Sequence, residues 1–170
     1  MQALRTAFER CAKALTLKPS LGHGTGISRT RITQGLACEV EEGPWKLVAD
    51  MPKTAGGAAS APTPGVYGRA ALGSCLAIGY MLYAARLGVE ITSLEVEIQA
   101  DYDDGALYGV TDVPPGYSEV RYMVTVESPA TEADVQRVID EGDRHSPYLD
   151  VFSRAQVCRR TLRVIAPRET

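Results

Sequence analysis

Residues 63–88 read TPGVYGRAALGSCLAIGYMLYAARLG, and the reading of this stretch decides the fold. Thr63 is placed to cap a helix, Pro64 suits its first turn, and Arg86 followed by Gly88 suits its end. Between those limits small and apolar residues fall on almost every face, so the stretch predicts a helix surrounded by protein. Residues 70–85 carry no charge, which is short of the roughly 20 apolar residues a bilayer requires. A buried helix of a cytoplasmic protein is the expectation, with no membrane partner. Cys75 sits at its middle. The residues alone leave two readings for that thiol: a small packed hydrophobe, or a nucleophile.

Outward on the N-terminal side, alternation marks strands. Leu36, Cys38 and Val40 alternate with Ala37, Glu39 and Glu41, and Trp45, Leu47 and Ala49 alternate with Lys46, Val48 and Asp50. Turns at Gln34-Gly35 and Glu42-Gly43-Pro44 divide residues 26–51 into three short strands. The run PKTAGGAASAPTPG leads on to the helix and lacks the lysine and serine of a phosphate-binding loop. Further upstream, Leu4, Phe8, Cys11 and Leu15 recur at helical spacing. Residues 1–25 are thus expected to form an amphipathic helix and loop ahead of a single domain over 26–170.

On the C-terminal side, Leu94, Val96, Ile98 and Ala100 mark one strand and Val120, Tyr122, Val124 and Val126 another. A further strand is expected over Ala106–Val110. Thr131 opens a second helix with Asp134 as its capping partner, and the helix ends near Asp143, where Pro147 enforces a stop. Val157–Ile165 is expected to be the last strand. Strands grouped in meanders, with helices between the groups, give an α+β class. The central helix has more apolar face than one small sheet covers, which predicts a homodimer.

Charge and cysteine content narrow the function. A formal net charge of −3 without a basic cluster argues against a nucleic-acid partner. The four cysteines, Cys11, Cys38, Cys75 and Cys158, are widely spaced and form neither a disulfide framework nor a zinc site. Cys11, Cys38 and Cys158 occupy apolar phases, so core packing is expected for them. Neither a metal nor another cofactor is expected. If Cys75 reacts, a cation must favour its thiolate, because the helix dipole has faded that far from the N-terminus. Arg69 lies about 120° away around the same helix. Arg29 and Arg31, which share one strand face, either reach the thiol or face solvent. Asp50 ends a strand, and His145 complements a helix C-terminus.

Asp50-Met51-Pro52, Gly56-Gly57, Pro64 and the run AALGSCLA over 70–77 resemble the OsmC/Ohr family, as does VPPGYSEVRYMVTVES over 113–128. The resemblance covers about Gly26 to Ile165. It implies antiparallel strands wrapped around long central helices in an intertwined homodimer. It also implies an organic hydroperoxide peroxidase in which one cysteine is oxidised and a second resolves it. Cys75 matches the attacking position. The resolving position holds Ser146, and Thr54 stands where Ohr-type members carry a glutamate. A serine forms no disulfide, so an external thiol or Cys158 must reduce the oxidised Cys75. Two functions follow: a one-cysteine thiol peroxidase, or a non-catalytic dimer that binds a small apolar ligand with Cys75 as packing.

Overall fold

The computed structural model describes residues 1–32 and 34–166. Helix α1 (Gln2–Leu17) is followed by a 3₁₀ turn (Pro19–Gly22) and strands β1 (Arg29–Arg31), β2 (Cys38–Glu42) and β3 (Trp45–Ala49). A second 3₁₀ turn (Lys53–Ala55) precedes the central helix α2 (Pro64–Leu87). Then come β4 (Ser93–Asp101), the one-turn α3 (Asp104–Leu107), β5 (Glu119–Glu127), α4 (Glu132–Arg144) and α5 (Pro147–Ser153). The class is α+β, with two separate antiparallel sheets ordered β1-β2-β3 and β4-β5.

Helix α2 runs between the limits its sequence predicts. Pro64 occupies the first turn, and Gly88, at φ 73°, takes the left-handed conformation that closes the helix. Thr63 has extended cap geometry, but its side chain makes no capping hydrogen bond. By length and composition alone α2 could cross a membrane. In the fold, a stripe of Leu72, Leu76, Tyr80, Tyr83 and Ala84 is buried. Val138 of α4 and Val89 and Ile91 after the helix complete the core. The β4-β5 ribbon covers α2 with Leu94, Val96, Ile98, Val120, Tyr122 and Val124, while the alternate residues face outward. The opposite side of α2 is open, and Ile78 is 62% exposed.

The first sheet stands apart from this core. Trp45, Lys46, Leu47 and Val48 are all exposed, so both faces of β3 meet solvent in the protomer. Two features tie the sheet to α2. Tyr67 Oη donates to Val48 O at 2.6 Å, and the Asp50 amide donates to Pro62 O.

Several expectations need correction. Residues 106–110 form no strand: Asp103 accepts from the Gly105 amide at 2.7 Å and starts the helical turn α3 instead. This local cap outweighs the β preference of a short run. Pro147 does more than stop a helix. It fills the first turn of α5, with Ser146 as the N-cap accepting from Leu149 N at 3.3 Å. Residues 157–165 have no ladder partner among the described residues, and Val157, Leu162, Val164 and Ile165 are 78–84% exposed. Alternation alone does not make a strand without an edge to join. Of the cysteines expected in the core, Cys11 and Cys158 are exposed and Cys38 is half-buried. Of the α1 stripe, Phe8 packs against the core, and Cys11 is left exposed.

Candidate functional site

The site is built on the contact between α2 and the α4–α5 junction. Cys75, half-buried on α2, has its Sγ 3.6 Å from Oγ of Ser146, which is 5% exposed. Ser146 Oγ accepts the Leu149 amide hydrogen and keeps both its own proton and a second lone pair, so either atom of the Cys75–Ser146 pair can donate. The two residues are 71 positions apart in sequence. They meet because the last turn of α4 lies flush on α2. Gly142 permits that approach: a Cβ there would fall 2.4 Å from Cδ1 of Tyr80.

A polar cluster lies one turn before Ser146. Tyr80 Oη of α2 donates to Asp143 Oδ1 at 2.6 Å, and Tyr122 Oη of β5 donates to Oδ2 at 2.9 Å. Burial, with the neighbouring Asp143 carboxylate adding to it, pushes the Tyr122 hydroxyl up to about 12, and Tyr80 is raised further by the same causes. Both stay protonated donors. His145 stacks on Tyr83 with ring centroids 5.0 Å apart, and its Nδ1 lies 2.8 Å from Glu141 O. The Arg86 guanidinium sits over the rings of Tyr83 and Phe8, docking α1 on the same helix.

The other sequence candidates lie elsewhere. Arg29 and Arg31 are exposed on β1, in register with Glu41 and Glu39, and line a surface depression with them. Thr54 is exposed in the 3₁₀ turn before α2. Arg69 turns to Tyr117, with Nη1 3.4 Å from its hydroxyl. Among the described residues of one protomer, no arginine hydrogen-bonds Cys75; its polar partner is Ser146. Asp50 does end β3, and it also organises the loop that follows. The carboxylate is 1% exposed and accepts from the amides of Met51, Ala58 and Ser60 and from Ser60 Oγ. Separately, Leu4, Ala77, Ile78, Met81, Ile91 and Leu94 line an apolar groove of about 450 Å³ between α1, α2 and β4, which does not include Cys75.

The Tyr80–Asp143–Tyr122 cluster escapes a reading of the sequence, although a signal was available. A tyrosine mid-stripe on a core helix and another at an inward strand position each need a partner for the hydroxyl. Asp143, beside the packing face of α4, is the group that supplies it.

The fold is an α+β framework around a long central helix, and a half-buried thiol on that helix is faced by the hydroxyl of an adjacent helix cap. The chain belongs to the OsmC-like protein family, whose model matches residues 56–159. The matched span contains both Cys75 and Ser146 and leaves out α1 and the first sheet. No curated protein matches the chain. Among solved structures, the chain is similar to an OsmC-like protein from Mycoplasma pneumoniae, with TM-score 0.66 and 16% identity over 76% of this chain and 87% of that one. It is also similar to an organic hydroperoxide resistance protein OsmC from Legionella pneumophila, with TM-score 0.56 and 15% identity over 76% and 90%. An organic hydroperoxide resistance protein from Elizabethkingia anophelis gives TM-score 0.56 and 15% identity over 77% and 89%. At these identities the likeness is one of fold.

Proposed function

We propose that this protein is a one-cysteine thiol peroxidase that reduces organic hydroperoxides in the cytoplasm, as a homodimer. The Cys75–Ser146 contact carries the reading. A hydroxyl whose lone pair is engaged by Leu149 N–H is oriented to donate to a thiolate at Sγ. In the first step the thiolate attacks the distal peroxide oxygen. An S–O bond forms, the O–O bond breaks, and the alkoxide leaves and takes up a proton as the alcohol. Cys75 is oxidised to a sulfenic acid. Ser146 cannot resolve it, so an external thiol attacks the sulfur, water leaves, and a second thiol releases the mixed disulfide. Similarity in fold to two proteins named for organic hydroperoxide resistance supports the choice of oxidant. Exposed Trp45, Leu47 and Ile78 support the dimer.

The test is consumption of tert-butyl hydroperoxide with dithiothreitol as reductant. Turnover that disappears in Cys75→Ser is the expected result; a wild-type protein that does not consume the peroxide overturns the reading. The second reading, an apolar-ligand binder with Cys75 as packing, draws on the groove beside Ile78 and Met81. It predicts no turnover, and saturable binding of a fluorescent fatty acid that Met81→Glu abolishes.

A further inference from the structure

We infer that Asp143 is a positioning residue: clamped between Tyr80 and Tyr122, it fixes the end of α4 so that the Ser146 hydroxyl stays against the Cys75 sulfur. The inference rests on the reading of Cys75 as a reacting thiol and assigns the device that holds its partner.

One helical turn carries three contacts in sequence. Gly142 lies on the Tyr80 ring, Asp143 is held at both oxygens, and Ser146 reaches Cys75. The turn is continuous backbone: the Ser146 amide donates to Asp143 O at 3.2 Å, so the placement of Asp143 sets the placement of Ser146. Relative strengths decide which contact governs the others. The S···O contact at 3.6 Å is long and involves a weak donor and acceptor, too little to order a helix end. Hydrogen bonds to an ionised carboxylate are roughly twice as strong as neutral ones, and Asp143 makes two, to hydroxyls from α2 and from β5. The junction is therefore pinned at Asp143, and Ser146 follows. Aspartate suits this role because its two oxygens accept from two donors, whereas an asparagine has one acceptor oxygen. The neighbouring Arg144 and His145 side chains of the turn are engaged elsewhere. Arg144 pairs with Glu141 at 2.9 Å, and His145 stacks on Tyr83.

A purely structural clamp would change melting temperature and leave the chemistry of the folded thiol alone. The discriminating readout is the pH profile of Cys75 alkylation by iodoacetamide, followed on its own peptide by mass spectrometry so that Cys11, Cys38 and Cys158 do not interfere. Ser146→Ala should move the profile to higher pH and slow alkylation at pH 7 by about threefold to tenfold, the worth of one hydrogen bond. Tyr122→Phe, which removes one hydroxyl and keeps the ring, should do the same, and so should Asp143→Asn. Ser146→Ala combined with Tyr122→Phe should be no slower than Ser146→Ala alone, because both act through one contact. An unmoved profile in Tyr122→Phe and Asp143→Asn overturns the inference, as does an unmoved profile in Ser146→Ala or a multiplied effect in the double variant. If Tyr122→Phe does not fold, Tyr80→Phe replaces it. Alkylation needs no peroxide: wild-type protein that fails to consume tert-butyl hydroperoxide, with these shifts intact, sinks the peroxidase reading and leaves the positioning role standing.

Discussion

Asp50 accepts four hydrogen bonds in a buried setting, and hydrogen bonding, from Ser60 first, holds its carboxyl at about 2 instead of 3.8. A depressed carboxylate pKa adds stability that is complete above about pH 4 and is lost as pH falls towards 2. Asp101 and Asp150 are also lowered, by Arg121 and Arg154, but those pairs are exposed and screened by salt. An acid titration in high salt, followed by near-ultraviolet circular dichroism, should therefore isolate Asp50. The wild type should lose stability between about pH 4 and 2, and Asp50→Asn should flatten that interval. At Gly142 helix propensity and packing oppose each other. Alanine would gain up to about 1 kcal/mol of helix propensity, but its Cβ would lie 2.4 Å from a fully buried tyrosine, and overpacking of that kind costs about 1–3 kcal/mol. Gly142→Ala should lower the urea midpoint; an unchanged or raised midpoint would mean that Tyr80 can move aside.

Individual helices carry the next effects. Phe8 meets Tyr83 edge-on at 5.7 Å and lies under the Arg86 guanidinium, so it is the anchor of α1. Phe8→Ala should cost about 2 kcal/mol, less than a fully buried phenylalanine because the ring is only half covered. Hydrogen exchange should quicken across α1 while α2 stays protected. Much at this scale was legible in the sequence. Pro64 and Gly88 bound α2, Thr131 and Asp134 cap α4 by their side chains, and alternation places β2 through β5. What escaped has physical causes. Pro147 signals a stop and a start equally well, so α5 was hidden behind the end of α4. Asp103 turned a β-leaning run into α3 through two hydrogen bonds that composition does not reveal. Of the candidate site, Cys75 stood out at the middle of the central helix and again by likeness to a family, and Ser146 by that likeness, but their contact depends on the close approach at Gly142 and on the Asp143 cluster, both tertiary. Strand parity put Arg29 and Arg31 on one face, and in the protomer both are exposed beside Glu41 and Glu39.

For the whole molecule, the open side of α2, the two exposed faces of β3 and the Val157–Ile165 segment, which has no ladder partner among the described residues, predict association. Sedimentation at micromolar concentration should give a homodimer, and a stable monomer would contradict it. Leu47→Glu on the first sheet should weaken the dimer without unfolding the β4-β5 and α2 core, since Leu47 is 49% exposed in the protomer. The separateness of that first sheet also bears on how the chain lives in a cell. In the proposed dimer, a sheet that rests on its own core through Tyr67 and the Asp50 loop would gain most of its burial from the second molecule, and part of the stability would be second order. Mass action then governs the melting point, which should rise with protein concentration. Newly made chains would expose Trp45 and Leu47 until they find a mate, and the rate of synthesis, as much as the sequence, would set how many escape proteolysis.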